Sequence, residues 1–413
     1  MTGPMFALIT AGVTTLLTVA GIGYYLVALW SARAFLRRPR FSASFAPPVS
    51  ILKPLRGTDP GMAESFGSHC LQEYDGEYEI LFGVSSFEDP AAAAVQRLQE
   101  EFPERAIRLI LCPEVLGPNG KVSNLTQLQP HARYDYLIIN DSDIRVGPRY
   151  LAQILAPFTP MQDLKPTGLV TALYRGRAHG PRGVGSPTLG SRLEALGIAT
   201  EFAPGVLTAR RLEGGLHFGL GSTLAVSRAA LNAIGGLAPL VDYLADDYQL
   251  GARVHAAGFC VELAEEVVET SVPGWDLASF FDHQLRWLRT MRESRPGGYA
   301  GLMFSYGLAW GMLNLIATAF SLPAIALFSL VLLFRVCLAL GVGVGILGDT
   351  QVVRNLWLLP LRDLIALGLW AWSYASDTVT WRGESFSLKD GKLERKSPGR
   401  TSAPTAPARE HNS

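Results

Sequence analysis

Two apolar stretches near the ends of the chain enclose a segment with an ordinary mixture of polar and apolar residues. The first stretch, from Met5 to Trp30, has no charged residue. It is longer than the roughly 20 residues that a helix needs to cross the hydrocarbon core of a bilayer. No basic residue precedes it, whereas a cluster of arginines follows: Arg33, Arg37, Arg38 and Arg40. The positive-inside rule therefore predicts an anchor helix over residues 1–30 with its N-terminus outside the cell, and a basic cytosolic linker over residues 31–46.

The second apolar stretch, from Tyr299 to Gly348, has Arg335 as its single charged residue and is long enough for two helices. Ser321-Leu322-Pro323 predicts the turn between them. A third segment, near Asn355 to Ala375, is interrupted by polar or helix-breaking residues: Pro360, Arg362 and Asp363. Three full crossings would leave the basic C-terminal tail outside the cell, against the charge bias. We therefore expect one of these segments to lie in the interface or to re-enter the membrane.

These patterns divide the chain beyond the linker into three parts. Residues 47–298 are predicted to form the cytosolic domain, and residues 299–380 the C-terminal membrane segments. Residues 381–413 are rich in Ser, Pro, Thr and charge, which predicts a disordered tail.

Short β-like runs alternate with helical patterns in the central domain, which is typical of an α/β sheet with crossover helices. Four runs read as buried strands: Val49–Leu52, Glu79–Val84, Arg108–Leu111 and Tyr136–Ile139. Pro90–Phe102 has apolar residues at helical spacing and reads as a crossover helix. Ligands of open α/β sheets bind beyond the carboxyl ends of the strands, so the acidic residues that follow two of these strands are candidates for a binding site.

Composition narrows the possible functions. The 36 basic and 36 acidic residues balance, and no basic block occurs, which argues against nucleic acid as a partner. The 4 cysteines are scattered without a CxxC pair, which fits a reduced compartment and no structural zinc. The central domain contains neither GxGxxG nor GxxxxGK[ST], which argues against a dinucleotide or P-loop site.

The sharpest local motif is Ile138-Ile-Asn-Asp-Ser-Asp143, at the end of a predicted strand. Asp141 and Asp143, one residue apart, can share a hard divalent cation that also binds a diphosphate, and Mg²⁺ or Mn²⁺ suits such oxygen ligands. The alternative is a turn in which Asp and Ser occupy their favoured capping positions.

A second acidic motif, Asp246-Asp247, opens a helical pattern that runs to His255. Two acids in a first helical turn can simply complement the helix dipole. The functional alternative makes one of them a general base that removes a proton from an acceptor hydroxyl.

The third motif lies just before the C-terminal apolar stretch and runs from His283 to Arg292, with Arg286-Trp287 inside it. Arg289 and Arg292 are interpreted either as positive-inside anchors or, on a membrane-proximal helix, as a clamp for a leaving diphosphate.

The order of these motifs resembles the family 21 glycosyltransferases, the ceramide glucosyltransferases. It is also similar to their bacterial relatives, the hopanoid-biosynthesis glycosyltransferases that add N-acetylglucosamine to bacteriohopanetetrol. The resemblance covers about residues 47–295. It rests on the segments 49–57 (VSILKPLRG), 87–90 (FEDP), 120–125 (GKVSNL), 140–146 (NDSDIRV), 245–248 (ADDY) and 286–287 (RW).

This resemblance implies a GT-A fold that binds a UDP-sugar, UDP-glucose or UDP-N-acetylglucosamine, and transfers the sugar with inversion to a membrane lipid, ceramide or a hopanoid. It implies that Asp89 helps to hold the uridine, that Asp141 lies at the metal and diphosphate, and that Asp143 completes the DxD motif. Asp247 matches the proposed catalytic base and Asp246 its acidic neighbour. Arg286 and Trp287 match the end of (Q/R)xxRW. Three further residues lie in similar segments with less defined roles: Lys53, Lys121 and Asn124.

Two departures from the family pattern stand out. His283 replaces the leading Gln or Arg of (Q/R)xxRW, and neither His179 nor His217 is well placed to match the acceptor-site histidine of ceramide glucosyltransferases. A processive polysaccharide synthase is disfavoured by the missing Gln and the few C-terminal spans. A non-catalytic scaffold is disfavoured because the matched acidic residues are all present. The expected location is a bacterial inner membrane, spanned more than once, with the catalytic domain in the cytosol.

Overall fold

The computed structural model describes residues 3–42, 44–160, 165–381 and 384–395. The strands, in chain order, are β1 (Val49–Pro54), β2 (Tyr78–Val84), β3 (Ala106–Leu111), β4 (Tyr136–Ile139), β5 (Thr167–Ala178), β6 (Leu224–Ser227), β7 (Cys260–Val272), β8 (Thr378–Trp381), β9 (Glu384–Lys389) and β10 (Lys392–Arg395).

The α-helices, in chain order, are α1 (Gly3–Leu36), α2 (Met62–Cys70), α3 (Pro90–Glu101), α4 (Gly120–Leu128), α5 (Tyr150–Leu155), α6 (Leu189–Gly197), α7 (Ala203–Leu212), α8 (Arg228–Ala233), α9 (Asp246–Ala256), α10 (Leu277–Ser294), α11 (Pro296–Gly301), α12 (Gly307–Ala317), α13 (Leu322–Leu338), α14 (Gln351–Asn355) and α15 (Leu359–Ser373). A π-helical turn, Ile198–Phe202, joins α6 to α7.

The central domain is built on a seven-stranded sheet in the order β3-β2-β1-β4-β6-β5-β7. The first four strands pair in parallel, and β6 pairs antiparallel with β4 and β5. β1 and β2 are almost continuously buried, as expected for strands covered by helices on both faces. The predicted α/β architecture and its four predicted strands are therefore confirmed, with β1 and β3 each two residues longer than predicted (Val49–Pro54 and Ala106–Leu111).

The membrane-type helices α1, α12 and α13 pack against one another. α1 and α12 meet at Gly21 and Gly307, where a Cβ on either residue would collide with the Cα of the other. The predicted turn is present, because α12 ends at Ala317 and α13 begins at Leu322. Two helices, Met5–Leu36 and Leu322–Val344, are long and apolar enough to cross a membrane. A third span is possible if the pair Pro296–Ser305 and Gly307–Ala317, bent by 53°, forms one.

The charges that interrupt the third apolar segment are buried and paired. Asp363 on α15 accepts two hydrogen bonds of 2.8 Å from the guanidinium of Arg335 on α13. Arg362 donates to Gln284 Oε1 at 3.0 Å and lies 3.0 Å from a carboxylate oxygen of Glu201. α15 is thus a packed helix whose charged side chains bind residues of other helices. These charged residues explain its low hydropathy.

The expectation of a disordered tail from residue 381 is wrong for residues 384–395, which form β9 and β10. Together with β8 they make a separate antiparallel sheet, here called the C-terminal sheet. Its inner side chains, Val379, Phe386, Leu388 and Leu393, pack around Leu244. Residues 396–413 of the predicted tail lie outside the described residues.

Candidate active site

Two aspartates follow the end of β4, and their carboxylates point in different directions. Asn140, fully buried, holds the chain there because its side-chain amide donates to Tyr150 Oη at 3.0 Å and to the carbonyl of Ser222 at 2.9 Å. Asp141 follows and keeps 41% of its side chain exposed. Asp143 is turned back toward β7, where its Oδ2 accepts from Thr270 Oγ1 at 2.5 Å and from the Ser271 backbone at 3.0 Å.

Lys121 links the two acidic motifs. Its ammonium lies 2.8 Å from Asp141 Oδ1 and 3.4 Å from Asp246 Oδ2. Burial alone would lower the pKa of Lys121, but the carboxylates of Asp141 and Asp246 outweigh it and raise that pKa. Asn119 caps α4 and places this lysine in the first turn, and its amide also donates to the carbonyl of Tyr243 at 2.7 Å.

Asp247 lies in the first turn of α9, and its Oδ1 accepts from the backbone of Tyr248 at 2.7 Å. A Cβ added at Gly221 would lie 3.1 Å from Asp247 Oδ2 and 3.9 Å from Asp141 Oδ2. Both carboxylates therefore border one space that this glycine leaves open. Burial and the neighbouring Asp246 raise the pKa of Asp247 to about 6, although Lys121 acts in the opposite direction.

Lys53 lies beneath this cluster, at the end of β1. Its side chain is fully buried, and its ammonium donates to the Asp141 carbonyl at 3.0 Å. Burial lowers the pKa of Lys53 to about 7, despite the nearby charges of Asp143 and Asp141. Lys53 therefore fixes the backbone that carries Asp141.

Asp89 and Asn124 occupy positions different from that of the carboxylate cluster. Asp89 caps α3, and its carboxylate accepts from the Gly57 backbone at 2.9 and 3.0 Å and from Ala91 at 2.9 Å. It therefore fixes the loop after β1. Asn124 is buried on α4 with its Oδ1 facing Gly83, and within the described residues this oxygen has no hydrogen-bond partner.

Two arginines of the third motif, Arg289 and Arg292, lie on α10 and bind neighbouring parts of the chain. Arg289 donates to the carbonyl of Thr378 at 2.5 Å, and Arg292 binds the carbonyl of Ser373 and the carboxylate of Asp377. Both therefore attach α10 to the segment between α15 and β8, which contradicts their interpretation as a diphosphate clamp.

Arg286 and Trp287 are half-buried on the same helix, α10. The ring of Trp287 lies 5.3 Å from that of His283 and 6.1 Å from that of Phe202. His283, the departure from the family pattern, stacks on Trp275 and lies 3.1 Å from a carboxylate oxygen of Glu194.

The sequence interpretation did not identify three residues that interact with predicted site residues: Asn119 with Asp246, Tyr174 with Asp247 and Glu194 with His283. Asn119 had a signal, because Pro-Asn-Gly before an apolar helical run is typical of a helix start. Tyr174 and Glu194 lie inside a strand and a helix without a local motif, so only the fold brings them to the site.

The donor set suits a hard cation. No group of three or more His, Cys, Asp or Glu in the described part of the chain is arranged to bind a metal by itself. Asp141 and Asp143 nevertheless supply carboxylate oxygens of the type that Mg²⁺ and Mn²⁺ prefer. Such ions commonly take one or two carboxylates and complete their coordination with phosphate and water, so the residues present fit.

Comparison with known proteins gives one family. The family model described as "Glycosyl transferase family 21" matches residues 13–394. The chain is 24% identical over 300 residues to "Ceramide glucosyltransferase 3" of Caenorhabditis elegans, covering 67% of this chain and 59% of that protein. It is 25% identical over 250 residues to "Ceramide glucosyltransferase 1" of the same organism, covering 60% and 51%. The match thus spans only a little over half the length of these curated relatives.

A solved structure supports the fold. The mannosyltransferase PcManGT from Pyrobaculum calidifontis, in complex with GDP-Man and Mn²⁺, aligns with a TM-score of 0.53 at 16% identity, covering 89% of this chain and 98% of that one. The central domain therefore has the GT-A fold of glycosyltransferases.

Proposed function

The chain belongs to glycosyl transferase family 21, and from this premise we propose that it transfers glucose from UDP-glucose to a hydroxyl of ceramide at a membrane surface. The observation that carries the proposal is the shared space beside Gly221, which Asp141 borders on one side and Asp247 on the other. A donor diphosphate near Asp141 and an acceptor hydroxyl near Asp247 would meet there. The names of the curated relatives support ceramide as the acceptor.

Asp247 is the proposed general base. Its raised pKa of about 6 leaves it ionised at neutral pH. At this pKa Asp247 is also a stronger base than an ordinary aspartate. Removing the hydroxyl proton makes the lipid oxygen a better nucleophile, which then attacks the sugar from the side opposite UDP and inverts its configuration.

The donor side contains several groups for a nucleoside diphosphate. Asp141 and Asp143 would hold a divalent cation, which neutralises charge on the UDP leaving group when it is bound. Lys121 balances Asp141 and Asp246, and Lys53 holds the Asp141 backbone. Asp89 is proposed to act on the uridine side through the Gly57 loop, and Asn124, whose Oδ1 faces Gly83, is proposed to act on the donor from α4. Arg286 and Trp287 are proposed to contact the donor from α10.

The acceptor would arrive from the bilayer. The arginines that follow α1 support a cytosolic position for residues 47–298 in a bacterial inner membrane. α10 packs against both α15 and α6, and it therefore connects the C-terminal apolar segments with the central domain along the proposed route.

The test is transfer by membranes that contain the protein. UDP-glucose and UDP-N-acetylglucosamine are each offered to ceramide and to bacteriohopanetetrol, with Mg²⁺ or EDTA, beside an Asp247→Asn control. We expect glucosylceramide that is lost with EDTA and in the variant. An N-acetylglucosaminyl hopanoid would replace this proposal with the hopanoid alternative. No product and no binding of UDP-sugar would reject an enzymatic role.

A further inference from the structure

A second polar cluster, made of Glu194, His283 and Trp275, lies apart from the donor carboxylates. Glu194 is only 4% exposed. Its Oε1 lies 3.1 Å from His283 Nδ1, and the His283 ring stacks on Trp275 with centroids 5.3 Å apart. Glu194 Oε2 and Trp275 Nε1 are shielded from water and have no hydrogen-bond partner among the residues that the structure describes. We call these three residues the Glu194 cluster.

Two buried polar atoms without partners in one place destabilise a folded protein. A buried donor or acceptor loses its hydrogen bonds to water and gains none in return, and the penalty is larger when the group is charged. Buried polar groups are almost always paired, so such a cluster calls for a ligand that supplies the missing partners. An unpaired carboxylate oxygen specifically calls for a hydrogen-bond donor.

Ring contacts connect the Glu194 cluster to Tyr174 on β5: the His283 ring lies 5.3 Å from that of Trp287, and the Trp287 ring lies 6.1 Å from that of Phe202. The pKa of Tyr174 is raised well above its ordinary value, first by burial and then by the negative charges of Asp247 and Glu194. The Tyr174 hydroxyl therefore interacts electrostatically with both carboxylates. The π-helical turn after α6 places the Phe202 ring 5.2 Å from that of Tyr174, and π-helical turns are frequent at functional sites.

The opposite side of the cluster faces the membrane helices. Gln284, the neighbour of His283, accepts a hydrogen bond from Arg362 of α15 at 3.0 Å. Arg362 in turn pairs with Glu201, which lies two helical turns beyond Glu194. The Glu194 cluster thus lies beside Trp287 on α10 and next to the residue that binds α10 to α15.

We infer that the Glu194 cluster binds a second polar group of the acceptor head group, a hydroxyl or amide N–H adjacent to the attacking hydroxyl, which donates to Glu194. The inference rests on the proposed function and deepens it, because it names the residues that select the acceptor. It predicts that the enzyme discriminates against lipids with only the attacking hydroxyl.

The experiment compares a short-chain ceramide with its 3-deoxy and N-methylated analogues, in the wild-type protein and in Glu194→Gln. Losing a hydrogen bond to a charged group should lower kcat/KM of the wild type for at least one analogue by about tenfold or more. In Glu194→Gln this preference should shrink to within about twofold, while the dissociation constant of UDP-glucose stays unchanged. Glu100→Gln, an exposed glutamate on α3, is the matched control and should keep the preference.

The outcomes separate the inference from its premise. A Glu194→Gln protein that retains the wild-type preference for both analogues overturns the inference alone, since transfer itself persists. A wild-type protein that glucosylates no ceramide overturns the inference together with the proposed function. If Glu194→Gln does not assemble in membranes, Glu194→Asp, which withdraws the carboxylate by one methylene, provides the same comparison, and an unchanged preference there also overturns the inference.

Discussion

At the scale of single residues, Asp247 is the group whose ionisation should control the reaction rate. Its pKa is raised to about 6, mainly by burial and then by Asp246, and only the ionised carboxylate can accept a proton. The kcat/KM for transfer should therefore be level above pH 7 and fall about tenfold for each pH unit below 6. The measurement is kcat/KM at saturating Mg²⁺ from about pH 5 to about pH 8. UDP-glucose binding over the same range serves as the control, and an undiminished rate at pH 5 would reject the base assignment.

Lys121 should tune this profile because it lowers the pKa of Asp247. Replacing it by Met removes a positive charge that lies between Asp141 and Asp246. The acid limb of the profile should then move to higher pH, and UDP-glucose should bind more weakly. Lys121→Arg keeps the charge and is the matched variant, expected to retain the position of the limb. An acid limb of Lys121→Met that coincides with that of the wild type would contradict the electrostatic link.

The sequence could place some of these residues and not others. Asp141 and Asp247 were found because each follows a strand end or opens a helix, and local patterns report such positions. Glu194 was not, because its partner His283 is far away in sequence and only the packing of α6 against α10 brings them together. Tyr174 is one of many apolar or aromatic residues in buried strands, and nothing in its neighbours distinguishes it.

At the scale of elements, the C-terminal sheet fixes the segment that leads to the base. The backbone of Leu393 donates to the carbonyl of Asp242 at 2.7 Å, and Leu244 is buried among the strands. The other end of the sheet holds α10 through the bond from Arg289 to the Thr378 carbonyl. The C-terminal sheet therefore connects the segment that precedes Asp247 with α10, the helix that carries Arg286 and Trp287.

Phe386→Ala should loosen the connection between the segment that precedes Asp247 and α10. A buried Phe→Ala change costs about 3 to 5 kcal/mol, which is large for a three-stranded sheet with few inner side chains. We expect kcat to fall about tenfold or more, with UDP-glucose affinity little changed because the donor residues lie on other elements. Ser385→Ala, exposed on the same strand, is the control. A Phe386→Ala enzyme with the kcat of the wild type would show that the sheet does not position the base.

The sheet was predicted as disorder because composition outweighed a local signal. Residues 384–395 are mostly polar or charged, as in disordered tails, and apolar residues occur only at alternate positions. Asp390-Gly391 was the missed signal: both residues adopt positive φ, 51° and 75°, and such a pair between alternating strands is typical of a tight hairpin. The main sheet was easier, since its central strands are continuous apolar runs.

At the scale of the whole molecule, buried ion pairs join the membrane helices to the catalytic domain. Arg335 of α13 binds Asp363 with both ends of its guanidinium and also donates to the carbonyl of Thr200 at 2.9 Å, in the π-helical turn after α6. Arg335 therefore connects α13 both to α15 and to the π-helical turn that follows α6, the helix that carries Glu194. Hydropathy alone reports these charges only as interruptions of an apolar segment.

The Arg335–Asp363 pair supplies the last prediction. Asp363→Asn leaves a guanidinium that is 3% exposed without its counter-charge, and breaking a buried pair in this way costs about 3 to 5 kcal/mol. We expect a clear loss of thermal stability in detergent, together with loss of transfer. The double change Arg335→Met with Asp363→Leu should recover most of the stability, because removing both charges leaves no unpaired ion. Glu265→Gln, which breaks the surface pair with Arg40, is the control and should cost less than about 1 kcal/mol. Equal melting temperatures for Asp363→Asn and the wild type would show that the pair does not stabilise the packing of α13 against α15.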